Sequence, residues 1–339
     1  MMVEVILKLM EDKDLEPAEM QKSMEEILSG KVNNSQIAAF LVLLRKKGET
    51  AEELATAVEV MLKFCRKVYI ERDLILDTCG TGGDGSSSFN VSTAVAFVVA
   101  GLGITVAKHG NRAISSACGS ADLIEELGVE INIDEKKAKI ALENIGIVFL
   151  FAPNFHPAMK YALPVRRELG LRTIFNLIGP LSNPVNITHQ LVGVYDKRWL
   201  KIVAQTLKKL GRTHAMVVYS EDGLDEISIN DKTYAVELKR DRIIGYTIDP
   251  RDFGFRYPKQ KRPLGKDPAT NAKILLEILK GKRSVYRDIV LLNAAAAIYI
   301  TDRAKSVKEG IELARYSIDE GLALKKLELL RDFSKKYGK

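Results

Sequence analysis

The sequence predicts an α/β protein: a small N-terminal helical domain over residues 1–72 and a larger α/β domain over 73–339, with a mostly parallel central sheet flanked by helices. Three observations carry this expectation. Up to about residue 70 the apolar residues recur only at helical spacing. From Leu74 onward, short β-rich runs alternate with helical stretches. The first two of those runs end in loops of Gly, hydroxyl, amide, Lys and Arg, which marks an anion site at the carboxyl ends of adjacent strands.

In the helical part, Met20, Met24, Ile27 and Leu28 form one stripe, with Pro17 in the first turn and Gly30 at the end. Asn34-Ser35 can cap the next helix, whose stripe is Ile37, Phe40, Leu41 and Leu44 and which stops at Gly48. Thr50-Ala51-Glu52-Glu53 is a capping-box pattern that opens a third helix, with Leu54, Val58, Met61 and Leu62 on one face. The predicted strands beyond are 74–78, 104–107, 129–133, 147–152, 189–194 and 214–219, interleaved with helices over 91–102, 120–127, 134–145 and 196–210. The stretch 225–247 reads as shorter strands joined by turns, residues 249–268 as a loop, and the chain from Asn271 as helix.

Composition narrows the function classes. Three cysteines (Cys65, Cys79, Cys118) without CxxC spacing argue against a disulfide framework or a zinc site and for a reducing compartment. No apolar run is long enough to span a bilayer, and the acidic N-terminus lacks the plan of a signal peptide, so a soluble, cytoplasmic protein with no membrane partner is expected. The net charge of +7 is spread over Lys and Arg interleaved with Glu and Asp, which reads as solvated helix faces rather than a nucleic-acid surface. It also suits a substrate carrying several phosphates.

The chemistry is concentrated between Leu76 and Asp122. Asp77-Thr78-Cys79-Gly80-Thr81-Gly82-Gly83-Asp84-Gly85 has too many glycines for a strand or helix interior. Its spacing is neither the dinucleotide fingerprint nor a Walker loop, which leaves a turn able to bring N–H groups to an anion. Asn90-Val91-Ser92-Thr93 opens the next helix; Asn90 or Ser92 can be a plain N-cap, or the same terminus can serve a phosphate and a metal. Lys108-His109-Gly110-Asn111-Arg112 ends a strand, and a purely structural role would need an acidic partner for each cation, with none adjacent in the chain. Ser120 can cap the helix after Gly119. Arg166 and Arg167 point about 100° apart on a short helix, so one can face a cleft while the other makes an ordinary ion pair. His156 taken alone is as often structural as functional. Asp222-Gly223-Leu224-Asp225-Glu226 is either a solvated tip or a hard-oxygen site for Mg²⁺.

Taken together, GTGGD at 80–84, NVST at 90–93, KHGNR at 108–112, GSAD at 119–122, HPAMK at 156–160, PVRRELG at 164–170, FNLIGPLSNP at 175–184 and GLDE at 223–226 resemble the anthranilate phosphoribosyltransferase family over nearly the whole chain. The resemblance implies transfer of phosphoribose from 5-phosphoribosyl 1-diphosphate to the amine of anthranilate, dependent on two Mg²⁺ ions per site. It also implies a homodimer formed through the helical domain, which part of about 175–190 should join. Carried over, Gly80, Gly83, Asp84, Ser88, Asn90, Val91, Ser92, Thr93, Lys108, His109, Gly110, Asn111, Arg112, Ala113, Ile114, Ser115, Ser116 and Ser120 belong to the phosphoribosyl diphosphate site, with Lys108 and Asp84 as the catalytic pair. Gly80, His109, Asn111, His156, Arg166 and Pro180 belong to the anthranilate site, and Ser92, Asp225 and Glu226 to the metals. Ser116-Ala117-Cys118 departs from the usual Lys-containing segment. Two rivals stay open: a pyrimidine nucleoside phosphorylase, which should carry another motif in place of KHGNR, and a non-catalytic nucleic-acid-binding relative, which should have eroded metal and substrate motifs.

Overall fold

The computed structural model describes residues 1–82, 89–113, 117–257 and 264–337. The chain begins with helices α1 (Met2–Met10), α2 (Pro17–Leu28), α3 (Asn34–Lys47) and α4 (Ala51–Lys63). The last three are the expected helices, and α1 precedes them as a fourth. The expected stripes face inward: Met20, Met24, Ile27, Phe40, Leu41, Leu44, Leu54 and Val58 are all buried. At the start of α4, Thr50 Oγ1 accepts from Glu53 N at 3.2 Å and Glu53 returns the bond to Thr50 N at 2.8 Å, the expected reciprocal cap. Asn33, one residue before the expected pair, caps α3 through Gln36 N.

The remainder alternates as β1 (Leu76–Gly80), α5 (Val91–Gly101), β2 (Val106–Gly110), α6 (Ser120–Glu126), α7 (Glu135–Asn144), β3 (Ile147–Phe151), α8 (Ala152–Phe155), α9 (Leu163–Leu169), α10 (Ile174–Leu181), β4 (His189–Gly193), α11 (Trp199–Lys209) and β5 (His214–Ser220). The hairpin β6 (Thr233–Lys239) and β7 (Arg242–Ile248) follows, then α12 (Pro268–Leu279), α13 (Val285–Ile300), α14 (Val307–Asp319) and α15 (Leu322–Tyr337). The strands form one sheet in the order β3-β2-β1-β4-β5-β6-β7. Strands β1 to β5 pair in parallel, and the last two are antiparallel.

Both faces of the parallel part of the sheet are covered, so β1 to β5 read as apolar runs rather than clean alternations. Leu191, Met216 and Val218 point into a core built with α5, α13 and α14. Their neighbours Val192, Ala215 and Val217 point into a second core shared with α10, α11 and the N-terminal helices. The helical bundle therefore sits on one face of the sheet, and α10 packs against α3 and α4.

Two expected strands are not strands. Over 129–133, Val129, Ile131 and Ile133 are buried in alternation, but Glu130 N donates to Ser334 Oγ of α15 at 2.9 Å and Ile133 N turns back to Ile131 O at 3.0 Å. Period-two burial reports one covered face, not a partner strand. Residues 225–229 are likewise held by a side chain. Asn293, buried on α13, accepts from Ile227 N at 2.9 Å and donates to Ile227 O at 2.8 Å. Removing that amide would orphan two buried backbone groups at a cost of about 1–3 kcal/mol each. A smaller shift matters more for function. The second strand runs over Val106–Gly110, not 104–107, so Lys108 and His109 are strand residues on opposite faces.

Candidate active site

From β1 the chain runs outward to β2 and β3, then returns to place β4 on the other side of β1. The crevice at the carboxyl ends of β1 and β4 is the switch point where ligands of open α/β sheets bind. The Asp222–Glu226 turn after β5 lies over it. A Cβ on Gly80 would strike the Asp225 carboxylate, and one on Gly193 would strike the Asp225 backbone carbonyl, so both strand ends must be glycine. Asp225 Oδ2 accepts from Gly82 N at 2.8 Å, and Glu226 Oε1 accepts from Ser92 N at 3.2 Å, in the first turn of α5. Both acids are buried, with 7% and 8% exposure. This is not a solvated tip. Two enclosed carboxylates beside a helix N-terminus suit Mg²⁺, which takes few carboxylates and completes its shell with water and phosphate oxygens. Ser92 is adjacent: its amide meets Glu226 and its hydroxyl meets Lys108.

Lys108 is 4% exposed and its ammonium donates to Thr78 O at 2.7 Å and Ser92 Oγ at 3.2 Å. Burial lowers its pKa, and the nearby Asp77, Cys79 and Glu226 oppose that shift. Asn90 occupies the N-cap position of α5, yet its side chain ties loops together: Nδ2 donates to Cys118 O at 3.1 Å, and Oδ1 accepts from Asn271 Nδ2 at 3.1 Å. Val91 and Thr93 are buried beneath the helix start.

On the opposite face of β2 the environment changes. The His109 ring lies 5.1 Å from that of His156, centroid to centroid. Burial, then the other ring, then Lys108 hold His109 well below the usual histidine range, and burial brings His156 down to about 4. Both are neutral near pH 7, so together they make an aromatic wall without charge. Arg166 on α9 stacks over Phe175 of α10 at 5.3 Å; burial lowers its pKa, and among the described residues no carboxylate pairs with it. Its neighbour Arg167 is exposed and makes no ion pair among the described residues either, so the expected division between a cleft-facing and an ion-paired arginine fails on the second half. Pro180 stands in the last turn of α10, its carbonyl accepting from Gln190 Nε2 at 2.7 Å.

Several sequence-derived residues are engaged otherwise than expected. Arg112 finds acidic partners after all: Asp122 at 3.1 Å and the Glu125 carboxylate in a two-pronged contact, both on α6. Folding supplies what adjacency did not. Asn111 Oδ1 accepts from Arg112 N at 2.8 Å, and its carbonyl accepts from Ala121 N and Ser120 Oγ. Ser120 is therefore not the cap of α6. Gly119 holds that position, and Asp122 closes the turn by accepting from Gly119 N and Ala113 N. Gly110 needs its missing side chain, since a Cβ there would meet Ser120 Oγ and the Phe149 ring. Gly83, Asp84, Ser88, Ile114, Ser115 and Ser116 lie outside the described residues.

Three polar side chains that the sequence reading did not assign to the site lie directly beneath it. Asp77 and Gln190 have no exposed surface and Asn183 has 1%. A polar residue in the middle of an apolar strand run was the available signal for Asp77 and Gln190; Asn183 stood inside a quoted motif.

Comparison with known proteins identifies the relatives of this chain. Residues 3–65 match the glycosyl transferase family helical bundle domain, and residues 72–324 match the glycosyl transferase family a/b domain. The chain is 48% identical to anthranilate phosphoribosyltransferase of Alkaliphilus metalliredigens over 97% of each sequence, and 49% identical to that of Bacillus cereus over 95% of each. Its fold superposes on the Thermus thermophilus enzyme with a TM-score of 0.92 at 37% identity, covering 98% of this chain and 99% of that one. It superposes on the Saccharomyces cerevisiae enzyme in complex with PRPP and Mg with a TM-score of 0.90 at 30% identity, covering 99% and 98%. The chain belongs to the glycosyl transferase family that joins a helical bundle to an a/b domain and, within it, to the anthranilate phosphoribosyltransferases.

Proposed function

We infer that the protein transfers the phosphoribosyl group of 5-phosphoribosyl 1-diphosphate to the amine of anthranilate, giving N-(5-phosphoribosyl)anthranilate and pyrophosphate, the phosphoribosyl step of L-tryptophan biosynthesis. The observation that carries the acceptor assignment is Arg166: a largely buried guanidinium stacked on Phe175, with no carboxylate partner among the described residues. Such a group is completed by a ligand carboxylate, and anthranilate brings one attached to an aromatic ring. The neutral His109–His156 pair offers that ring an uncharged wall.

In the reaction the ribose C1–O bond breaks and its electron pair leaves with pyrophosphate. The amine nitrogen bonds to C1 and then releases a proton. The barrier lies in the charge gathered on the departing group and the oxocarbenium character of the ribose. Asp225 and Glu226, with Ser92, would hold Mg²⁺, which supplies Lewis-acid neutralisation of the diphosphate. Lys108, fixed by Thr78 and Ser92, adds positive charge beside the same helix terminus. Asp84 is proposed to work with Lys108, and Gly80, Gly83, Ser88, Asn90 to Thr93 and 108–116 with Ser120 to form the phosphoribosyl diphosphate site. Asn111 and Pro180, with Gly80, border the acceptor. The aniline nitrogen is already neutral near pH 7, so the site needs no strong general base.

Two ions per site are part of the proposal: Asp225, Glu226 and Ser92 would anchor them, with water and the diphosphate oxygens completing both shells. So is a homodimer through the helical domain. Val3, Leu7 and Met10 are 54%, 55% and 59% exposed on one face of α1, with Val42 of α3 at 38%, an apolar stripe that a second copy would cover. The division at residue 72, with part of 175–190 joining the bundle, is supported by α10 packing on α3 and α4. Among the described residues no helix is long and apolar enough to cross a membrane, and a cytoplasmic site of action is proposed with the rest. The reading is tested by following anthranilate fluorescence. It should fall when protein, phosphoribosyl diphosphate and Mg²⁺ are mixed, and a constant signal at high enzyme concentration refutes the assignment.

A further inference from the structure

Asp77 lies within β1 with no exposed surface, and burial pushes its carboxyl up to about 6 despite nearby Lys108 and the Asn183 hydrogen bond. A buried carboxylate is tolerated only where donors surround it, and here they arrive from two directions. From the side of α10, Asn183 Nδ2 donates to Asp77 Oδ2 at 3.0 Å and also to Ala107 O of β2 at 2.7 Å. Gln190 Nε2 approaches the same Oδ2 at 3.5 Å while donating its strong bond to Pro180 O at 2.7 Å. From the side of β2, His109 N faces Oδ1 at 3.5 Å. One carboxylate thus touches both the Pro180–Asn183 turn that borders the acceptor and the strand that carries Lys108 and His109.

We propose that Asp77, acting with Gln190, is a positioning residue for the transfer: it locks the Pro180 turn against β2 so that the acceptor amine and the departing diphosphate stay in line. This rests on the function proposed above. Asp77 does not touch the reacting atoms; it acts through Gln190, Asn183 and the backbone of His109. A displacement of about an ångström between two reacting groups is enough to cost about a hundredfold in rate, so a rigid tie between the two halves has kinetic value.

The test uses the full chain and begins with the wild type, whose failure to consume anthranilate would remove the function assignment rather than this proposal. Asp77→Asn keeps size and loses charge. It should lower kcat by about 10- to 100-fold and raise the anthranilate KM by about tenfold, with the phosphoribosyl diphosphate KM within about threefold. Gln190→Met keeps volume and loses the bond to Pro180 O. It should raise the anthranilate KM by about fivefold, the effect of one hydrogen bond. Because both act on one turn, the double variant should fall short of the product of the single effects. A merely structural role lowers Tm and the active fraction without moving either KM. Unchanged anthranilate KM in both variants, or strictly multiplicative effects, overturns the proposal. If Asp77→Asn does not fold, the Gln190→Met result decides.

Discussion

Two arginine-bearing regions of the site solve the problem of a cation differently. Arg112, after β2, is 49% exposed at its side chain and is met by Asp122 and Glu125 of α6. Arg166, on α9, is largely buried and stacks on the Phe175 ring, and among the described residues no carboxylate pairs with it. In the first region the protein cancels its own charge and uses the arginine to hold a loop; in the second the charge has no carboxylate partner among the described residues, and the proposed acceptor would supply one. Equal residue types in neighbouring motifs therefore have different energetic standing. The exposed pair is screened by water, with a contribution of about 0.2–1 kcal/mol. A desolvated guanidinium without a partner is costly until an anion arrives.

The contrast can be strained by substitution. Outside both arginines, Asp225→Asn with Glu226→Gln should give the largest effect, lowering kcat by about 100- to 1000-fold and weakening Mg²⁺ dependence in a metal titration. An unchanged titration would reject the metal assignment. Next, Arg166→Ala should raise the anthranilate KM by about 30- to 1000-fold, the loss of a buried charge pair, with a much smaller change for phosphoribosyl diphosphate. Equal shifts in both constants would put Arg166 in the same class as Arg112.

The neutral His109–His156 pair adds a contrast in pH response. His156 binds a proton with a pKa of about 4 in the folded state, against 6.5 for an unburied histidine. Between those values the unfolded chain takes up the proton and the folded chain does not. Stability should therefore fall on acidification by about 1.4 kcal/mol per pH unit from this residue, and be unaffected by it above about pH 6.5. Urea unfolding of His156→Gln from pH 7 to 4.5 should show a shallower loss than the wild type; parallel curves would mean His156 is accessible to protons. The smallest effect is expected at Arg112→Gln: under about 1 kcal/mol in stability, and a phosphoribosyl diphosphate KM raised by no more than about fivefold. A large rise there would show that the arginine leaves α6 to grip substrate.

How far the sequence reached depended on the range of the interactions involved. The stripes of α2, α3 and α4, the Thr50–Glu53 cap and the succession of strands and helices were legible, because periodicity and turn chemistry act within one element. The motif residues could be named for the same reason. What they touch could not. The ladder-free path of 129–133 depends on Ser334, and the clamp on Ile227 depends on Asn293, a residue with no local signature.

By itself the sequence determined the α/β class, the placement of basic and acidic motifs at strand ends, and the family to which the chain belongs. Only the tertiary structure decided that Lys108 and His109 serve opposite faces of one strand, that Arg112 is neutralised while Arg166 is not, and that Asp77 meets Gln190 from 113 residues away. Burial and hydrogen-bond partnership belong to the packed chain. A side chain's charge is written in its codon, but whether that charge is cancelled, hidden or left for a ligand depends on what folding brings beside it.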